Sequence, residues 1–203
     1  ATPVPAAATL ADEIAFWLYS SGSTGQPKGV VHTHGNLWYT AELYGKPVLG
    51  VREDDIVFSA AKLFFAYGLG NGLTFPLSAG ATTVLMGERP TPAAVFKRLT
   101  QHKPTVYCGV PTLYASMLAS PDLPPKDQVA IRVCASAGEA LPKDLGDRFT
   151  QHFGCEILDG IGSTEMLHIF LSNQSGSVRY GTTGTPVPGY EVELRDEHGE
   201  PVP

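Results

Sequence analysis

Charge is scarce in this sequence. Asp, Glu, Lys and Arg make up 17% of its 203 residues, against about 25% in an ordinary soluble domain, so more surface than usual is expected to be covered by something absent from this chain. Its 14 basic residues are outnumbered by 20 acidic ones, giving a net charge of −6, and they are scattered singly. Without a basic stripe, non-specific nucleic-acid binding is excluded. Cysteine is limited to Cys108, Cys134 and Cys155, an odd number with no C-x-x-C spacing. That excludes a disulfide framework and reads as three reduced core thiols, hence a cytoplasmic location. No basic segment leads into an apolar one after Ala1, so no secretory signal is read there. Long membrane-spanning runs are missing as well. The uncharged stretch from Leu63 to Gly87 has the length of a bilayer helix, ~20 residues, but Asn71, Thr74, Pro76, Ser78, Thr82 and Thr83, together with Gly68, Gly70, Gly72 and Gly80, rule one out. A buried strand and helix around a ligand pocket is expected there instead, and no membrane partner.

What is present is the material of a folded α/β domain. Apolar residues reach 43%, and a chain of this length can bury roughly 70% of its unfolded surface. Short β-branched or aromatic runs alternate with longer amphipathic segments, the pattern of a largely parallel sheet flanked by helices. Strands are predicted at Ile14–Tyr19, Val30–Thr33, Ile56–Ala60, Thr82–Met86, Thr105–Cys108, Ile131–Ala135 and Glu156–Leu158. The best-marked helix begins after an N-cap at Thr91 with Pro92 in its first turn. It turns Val95, Phe96 and Leu99 to one face and ends near His102, before Pro104. Past Gly176 the texture becomes Gly, Thr and Pro, then the alternating segment Tyr190–Leu194 and the turn Asp196–Gly199. These predict the opening hairpin of a β subdomain, cut off at Pro203. Three pieces result: 1–34, a strand and hairpin closing one α/β subdomain; 35–175, a second α/β subdomain; and 176–203, the start of a β-barrel-like one.

The most informative segment is Tyr19-Ser-Ser-Gly-Ser-Thr-Gly-Gln-Pro-Lys-Gly-Val-Val31. Glycines let backbone N–H groups converge on an anion, hydroxyls add donors, and Lys28 supplies a mobile positive charge, so the loop can wrap phosphates. It is not a Walker loop, because Pro27 and Gly29 flank Lys28 where Gly and Ser or Thr are required. Nor is it a hydrolase elbow, since Ser21 occupies the first Gly position of G-x-S-x-G around Ser23. A flexible Ser/Gly surface hairpin is the plain alternative. Downstream, Asp159-Gly-Ile-Gly-Ser-Thr-Glu165 opens a strand end into a turn that presents Thr164 and Glu165, or else caps a helix start. An acid close to a polyphosphate would be repelled by roughly 4 kcal/mol at ~4 Å and an effective dielectric of ~20. Glu165 therefore makes sense beside phosphates only with a divalent cation between them, for which Mg²⁺ is the hard, oxygen-seeking choice. His32 and His34 form an H-x-H without a third ligand, and they read as support for the hairpin and the following helix rather than as a metal site. Glu53, Asp54 and Asp55 read as a solvated loop.

Both segments resemble signatures of the acyl-adenylate-forming superfamily, which includes acyl-CoA synthetases, peptide-synthetase adenylation domains and adenylating luciferases. Ser136-Ala-Gly-Glu-Ala-Leu-Pro142 is similar to its G-G-E-x-L-P segment, and Lys62-Leu-Phe-Phe-Ala-Tyr-Gly-Leu-Gly70 stands in the place of its P-L-F-H-x-x-G motif. Phe65 replaces a common His and Ile161 a common adenine-stacking Tyr, departures that resemble the aryl-CoA ligase branch, benzoate-CoA ligases in particular. The resemblance implies ATP binding by Ser21, Gly22, Ser23, Thr24, Gly25 and Lys28, with Ala137, Gly138, Glu139, Asp159, Gly160, Ile161, Gly162, Ser163 and Thr164 around the nucleotide. It implies Mg²⁺ on Glu165, catalytic roles for Lys28, Thr164 and Glu165, and coenzyme A as co-substrate. A flat aromatic acid would sit among Phe65, Ala66, Tyr67, Gly68, Ile161 and His168; ordinary core packing is the lesser alternative for Tyr67, and His168 reads equally as a satisfied core residue. The resemblance further implies that these 203 residues alone turn over poorly or not at all. A carrier-protein adenylation domain, another acyl-CoA synthetase and a nucleotide-binding module without chemistry stay open as alternatives.

Overall fold

The computed structural model describes residues 3–21 and 25–202; Ala1, Thr2, Gly22, Ser23, Thr24 and Pro203 lie outside it. Two antiparallel strands, β1 (Ile14–Ser20) and β2 (Lys28–Thr33), form a hairpin with Ser20 opposite Lys28 and Tyr19 opposite Gly29. The hairpin runs straight into α1 (His34–Thr40), which continues as a π-turn over Ala41–Gly45. Next come β3 (Ile56–Ser59), the short helix α2 (Ala66–Leu69), a second π-turn (Gly70–Thr74), α3 (Phe75–Ala79) and β4 (Thr82–Val84). Then follow α4 (Pro92–His102), β5 (Val106–Gly109), α5 (Pro111–Leu118), β6 (Val133–Ser136), α6 (Lys143–Phe153), β7 (Glu156–Gly162), β8 (Ile169–Ser172) and β9 (Thr185–Pro186).

Strands β3 to β9 make one sheet in the order β4-β3-β5-β6-β7-β8-β9, parallel from β4 through β7 and antiparallel at β8 and β9. The α/β reading from sequence therefore holds, and α4 keeps the predicted bounds: the Thr91 hydroxyl accepts the Ala94 N–H, and Val95, Phe96 and Leu99 are buried. Along each parallel strand, neighbouring residues go to opposite layers. Phe58, Tyr107, Cys134 and Ile157 face α4, α5 and α6, while Val57, Val106, Cys108, Val133 and Leu158 face Tyr44, Leu49 and Phe75. A sheet covered on both faces needs near-continuous apolar strands, and these supply them. All three cysteines are buried and unpaired, and burial pushes the Cys108 and Cys134 thiols well above their ordinary range.

The uncharged stretch holds short helices, the second π-turn and β4, with Phe65–Tyr67 at a cavity, and no helix among the described residues is long and apolar enough to cross a membrane. One sequence expectation changes. The alternating segment Tyr190–Leu194 does not pair as a strand; only the turn beyond it closes, through an Arg195–Pro201 bridge and an Asp196 carboxylate accepting from the His198 and Glu200 N–H groups. Alternation specifies a face only when a partner strand and a core are there to receive it, and Val192 and Leu194 are exposed.

Opposite the strand carboxyl ends, Asp55 is 3% exposed. Arg132 grips both its oxygens, with Nε 2.9 Å from Oδ1, while the Thr105 hydroxyl and the Arg52 N–H donate to it and the Arg132 guanidinium also reaches the Gly50 carbonyl. Burial alone would raise the Asp55 pKa, but these donors together hold it below the usual carboxylate range. The acidic run is thus not wholly solvated, since Asp55 staples β3 to the start of β6. Arg132→Ala should destabilise the fold by about 3 kcal/mol, the lower end for one half of a buried pair because Arg132 keeps an edge in water. A carboxylate whose folded pKa is depressed contributes stability above its unfolded pKa and loses it as pH falls. Urea denaturation should therefore show wild-type stability falling more steeply than the variant's below about pH 4.

Candidate active site at the carboxyl ends of the sheet

Ligand sites in parallel sheets form beyond the strand carboxyl ends, where neighbouring connections leave in opposite directions. Here β3 is followed by β4 on one side and flanked by β5 on the other, and Tyr67, just after β3, spans that divide by donating its hydroxyl to the Gly109 carbonyl at 3.0 Å. Beside it lies a cavity of about 220 Å³ lined by Phe65, Ala66 and Tyr67 from the β3 side, Ala137 and Gly138 after β6, and Gly162, Ser163, Thr164, His168 and Ile169 around the end of β7. An apolar cavity of ~150 Å³ is enough for benzene. This one has room for a single ring carrying a small polar group.

His168 forms its inner wall. The side chain is buried, stacked on Tyr67 at 5.7 Å between centroids, with Tyr44 at 5.0 Å and Phe75 edge-on at 4.6 Å. Neither ring nitrogen meets a hydrogen-bond partner among the described residues. Burial drives its pKa down to about 3, against an opposing pull from the Tyr67 backbone, so the ring is neutral at ordinary pH and presents an uncharged flat surface. It does not stand on a helical turn. Residues 163–168 form tight turns in which Leu167 takes φ +64°.

The Thr164 turn is tied to the hairpin by a bond that the sequence did not disclose. The Thr164 carbonyl accepts from Leu167 N–H at 3.2 Å and from His32 Nε2 at 2.8 Å. His32 is fully buried on β2, and Asn36 Nδ2 lies 3.1 Å from its Nδ1. An amide nitrogen can only donate, so Nδ1 accepts and the proton resides on Nε2, pointing at Thr164. The two-His spacing was its one signal, and no group of three His, Cys, Asp or Glu suited to a metal occurs among the described residues.

Lys28 is exposed at the tip of β2, and Ser21 and Gly25, the latter at φ +78°, are exposed in the loop between the strands. Gly22, Ser23 and Thr24 lie outside the described residues. Glu165 is exposed on the turn and makes no ion pair or side-chain hydrogen bond among the described residues, while the Ser163 hydroxyl accepts the Met166 N–H beneath it. One unengaged carboxylate suits Mg²⁺, which keeps most of its shell as water and phosphate oxygen. Glu139 is exposed beside the cavity-lining Gly138. Asp159 and Gly160 are buried within β7, where Asp159 Oδ2 faces the Leu141 N–H at 3.4 Å and burial raises its pKa. Gly68 packs on the Ala61–Lys62 backbone, its missing Cβ falling 2.6 Å from the Lys62 carbonyl carbon. Ile161 is 44% exposed and does not line the cavity, whereas Ile169 does. The exchange follows from an irregularity: Ile161 pairs with Leu171 but Gly162 pairs with Ile169, so β8 carries one extra residue there and its side chains change face.

Comparison with known proteins agrees with this geometry. The family of AMP-binding enzymes matches residues 1–203. The chain belongs to that family. Benzoate–CoA ligase of Thauera aromatica is 68% identical over 194 residues, and a 4-hydroxybenzoate–CoA/benzoate–CoA ligase of Rhodopseudomonas palustris is 52% identical over 201. The alignments cover 96% and 97% of this chain but 37% and 36% of those relatives, so the chain spans under two fifths of their length. Among solved structures, a benzoate CoA ligase from Burkholderia xenovorans LB400 superposes with a TM-score of 0.94 at 72% identity, covering 98% of this chain and 40% of that one. The anthranilate CoA ligase AuaEII, solved with anthranoyl-AMP, does so at 0.93 and 42%, covering 99% and 39%.

If the His32 bond holds the Thr164 turn of this AMP-binding enzyme against the hairpin, His32→Ala should speed hydrogen exchange across 163–168 at least tenfold, a loss of ~1.4 kcal/mol within the ~1–3 kcal/mol expected for an orphaned acceptor. Amides of β5 and β6 should stay unchanged, and His32→Gln, whose amide can donate to the same carbonyl, should restore most of the protection.

Proposed function

We propose that this chain carries the nucleotide and acid sites of an ATP-dependent, AMP-forming ligase that converts a benzoate-like acid to its coenzyme A thioester through an acyl-AMP. The observation that carries the reading is the shared border of the cavity: Tyr67 and His168 offer flat apolar surface on one side, and Thr164, tied to the hairpin bearing Lys28, stands on the other. The names of the relatives, all built around an aromatic acid, support the same substrate class.

In this reading the aromatic ring lies against Phe65, Ala66, Tyr67 and His168, with its carboxylate toward Thr164. Residues 21–25 and Lys28 hold the β- and γ-phosphates, Ala137 to Glu139 and the 159–163 segment border the adenosine, and Thr164 donates to the α-phosphate. A carboxylate oxygen attacks the α-phosphorus, the bond to the β-phosphate oxygen breaks, and pyrophosphate leaves. The coenzyme A sulfur then attacks the acyl carbon, AMP leaves, and the thiol proton passes to solvent. Both steps gain mainly from positioning and from fixed donors aimed at developing negative charge. Glu165 would hold Mg²⁺, which offsets charge on the departing pyrophosphate. His168, neutral and without a hydrogen-bonding role, supplies shape to the acid site rather than a proton.

The test uses the full-length protein of which this chain is part. With benzoate, ATP and Mg²⁺ it should form benzoyl-AMP and then, on adding coenzyme A, benzoyl-CoA; benzoate, 4-hydroxybenzoate and 2-aminobenzoate should each outrun hexanoate by at least tenfold in kcat/KM. Glu165→Gln should lower kcat by about 10²-fold or more, comparable to losing one electrostatic contact in a site of this kind. Preference for the aliphatic acid, or transfer to a carrier protein in place of coenzyme A, would overturn the assignment.

A further inference from the structure

Gly70 begins the π-turn behind the cavity, directly after α2. Its backbone, at φ −59° and ψ −63°, is open to any residue, and Ala would favour a helical position there by roughly 1 kcal/mol. Glycine is therefore kept for space. A Cβ on Gly70 would lie 2.7 Å from His168 Nε2 and 2.9 Å from Phe75 Cζ, and closer still to His168 Cδ2. Phe75 cannot retreat, because it packs in turn on Gly45 of the other π-turn, where a Cβ would meet its Cγ at 2.7 Å. Tyr44 and Tyr67 hold the other sides of the His168 ring. Among the described residues, the side of that ring left open is the cavity it lines, and neither nitrogen has a hydrogen-bond partner there.

We infer that Gly70 is a specificity-determining position: by leaving room behind His168 it lets the ring lie back, and so sets the depth of the acid cavity without touching the substrate. This rests on the proposed aryl-acid site. A single methyl at residue 70 would be relayed through the imidazole into the cavity, and the methyl-sized loss of depth would be felt by ring substituents before it is felt by the unsubstituted ring.

The experiment compares full-length wild type with Gly70→Ala on benzoate and on its 2-, 3- and 4-methyl derivatives, together with a crystal structure of the variant. The inference predicts a His168 ring displaced toward the cavity by at least about 1 Å, and a kcat/KM ratio of benzoate over at least one methylbenzoate raised by about tenfold or more, the smaller effect expected for one methylene in an apolar pocket. The KM for ATP should stay within about twofold. An unmoved ring, or an equal loss on all four acids, refutes it. Should Gly70→Ala fail to fold, Gly70→Ala/His168→Ala decides: recovery of a folded protein shows that the clash is with His168, and continued unfolding shows that Gly70 serves only the packing of Phe75. Failure of wild type to activate any of the acids would instead remove the aryl-acid reading, while the ring displacement would still judge the relay.

Discussion

One hydrogen bond holds the candidate site together. The His32 Nε2–H bond to the Thr164 carbonyl joins a hairpin that belongs to its own two-stranded sheet to a turn that leaves the main sheet at β7. Among the described residues it is the one hydrogen bond between the hairpin that carries Lys28 and the turn that bears Glu165. The bond's direction is set one step away, by Asn36, whose amide nitrogen forces the imidazole proton onto the correct nitrogen. That is a partly buried polar chain, centred on the buried His32 ring, with both its nitrogens satisfied, the condition under which such chains give a single geometry and not a cost.

The sheet provides the rigid ground for this link. Its parallel strands bury both faces, so their register is strongly specified, and their carboxyl ends deliver Tyr67, Ala137, Gly138 and the 162–164 segment to one place. The opposite edge is pinned by Asp55 and Arg132, which separates the residues that keep the fold from those that shape the cavity. The two π-turns, at Ala41–Gly45 and Gly70–Thr74, sit between these regions. Each inserts an irregularity in a helix close to a site, where such turns tend to be found.

Much of this was legible in the residues, and the rest was hidden for identifiable reasons. Helix α4 could be bounded from Thr91 and Pro92 because capping is local chemistry, and β3, β5, β6 and β7 could be placed because a strand buried on both faces is apolar at every position. Strand β8 escaped notice: Ile169–Ser172 is four residues long and follows a turn whose Thr-Glu pair also suits a helix start. Ile161 was expected in the acid site and Ile169 was not, since an extra residue in one strand of a pair leaves no mark in composition. His32 was legible as a supporting residue but not as a donor to residue 164, a contact across 132 positions. The Tyr190–Leu194 segment shows the converse, a clean alternation that forms no strand among the described residues and whose backbone meets the chain beyond it only where Leu194 accepts the Val202 N–H.

The cavity that Tyr67 and His168 border is, in the proposed function, the seat of an aromatic acid whose carboxyl end faces Thr164. A crystal structure of the full-length protein with a hydrolysis-resistant aroyl-AMP analogue tests this most directly. The ring should lie against the Phe65–Tyr67 segment and His168, with the phosphate-like group within hydrogen-bond reach of Thr164 and the hairpin loop. A ring bound anywhere else, or an analogue whose phosphate-like group avoids the Thr164 turn, would contradict it.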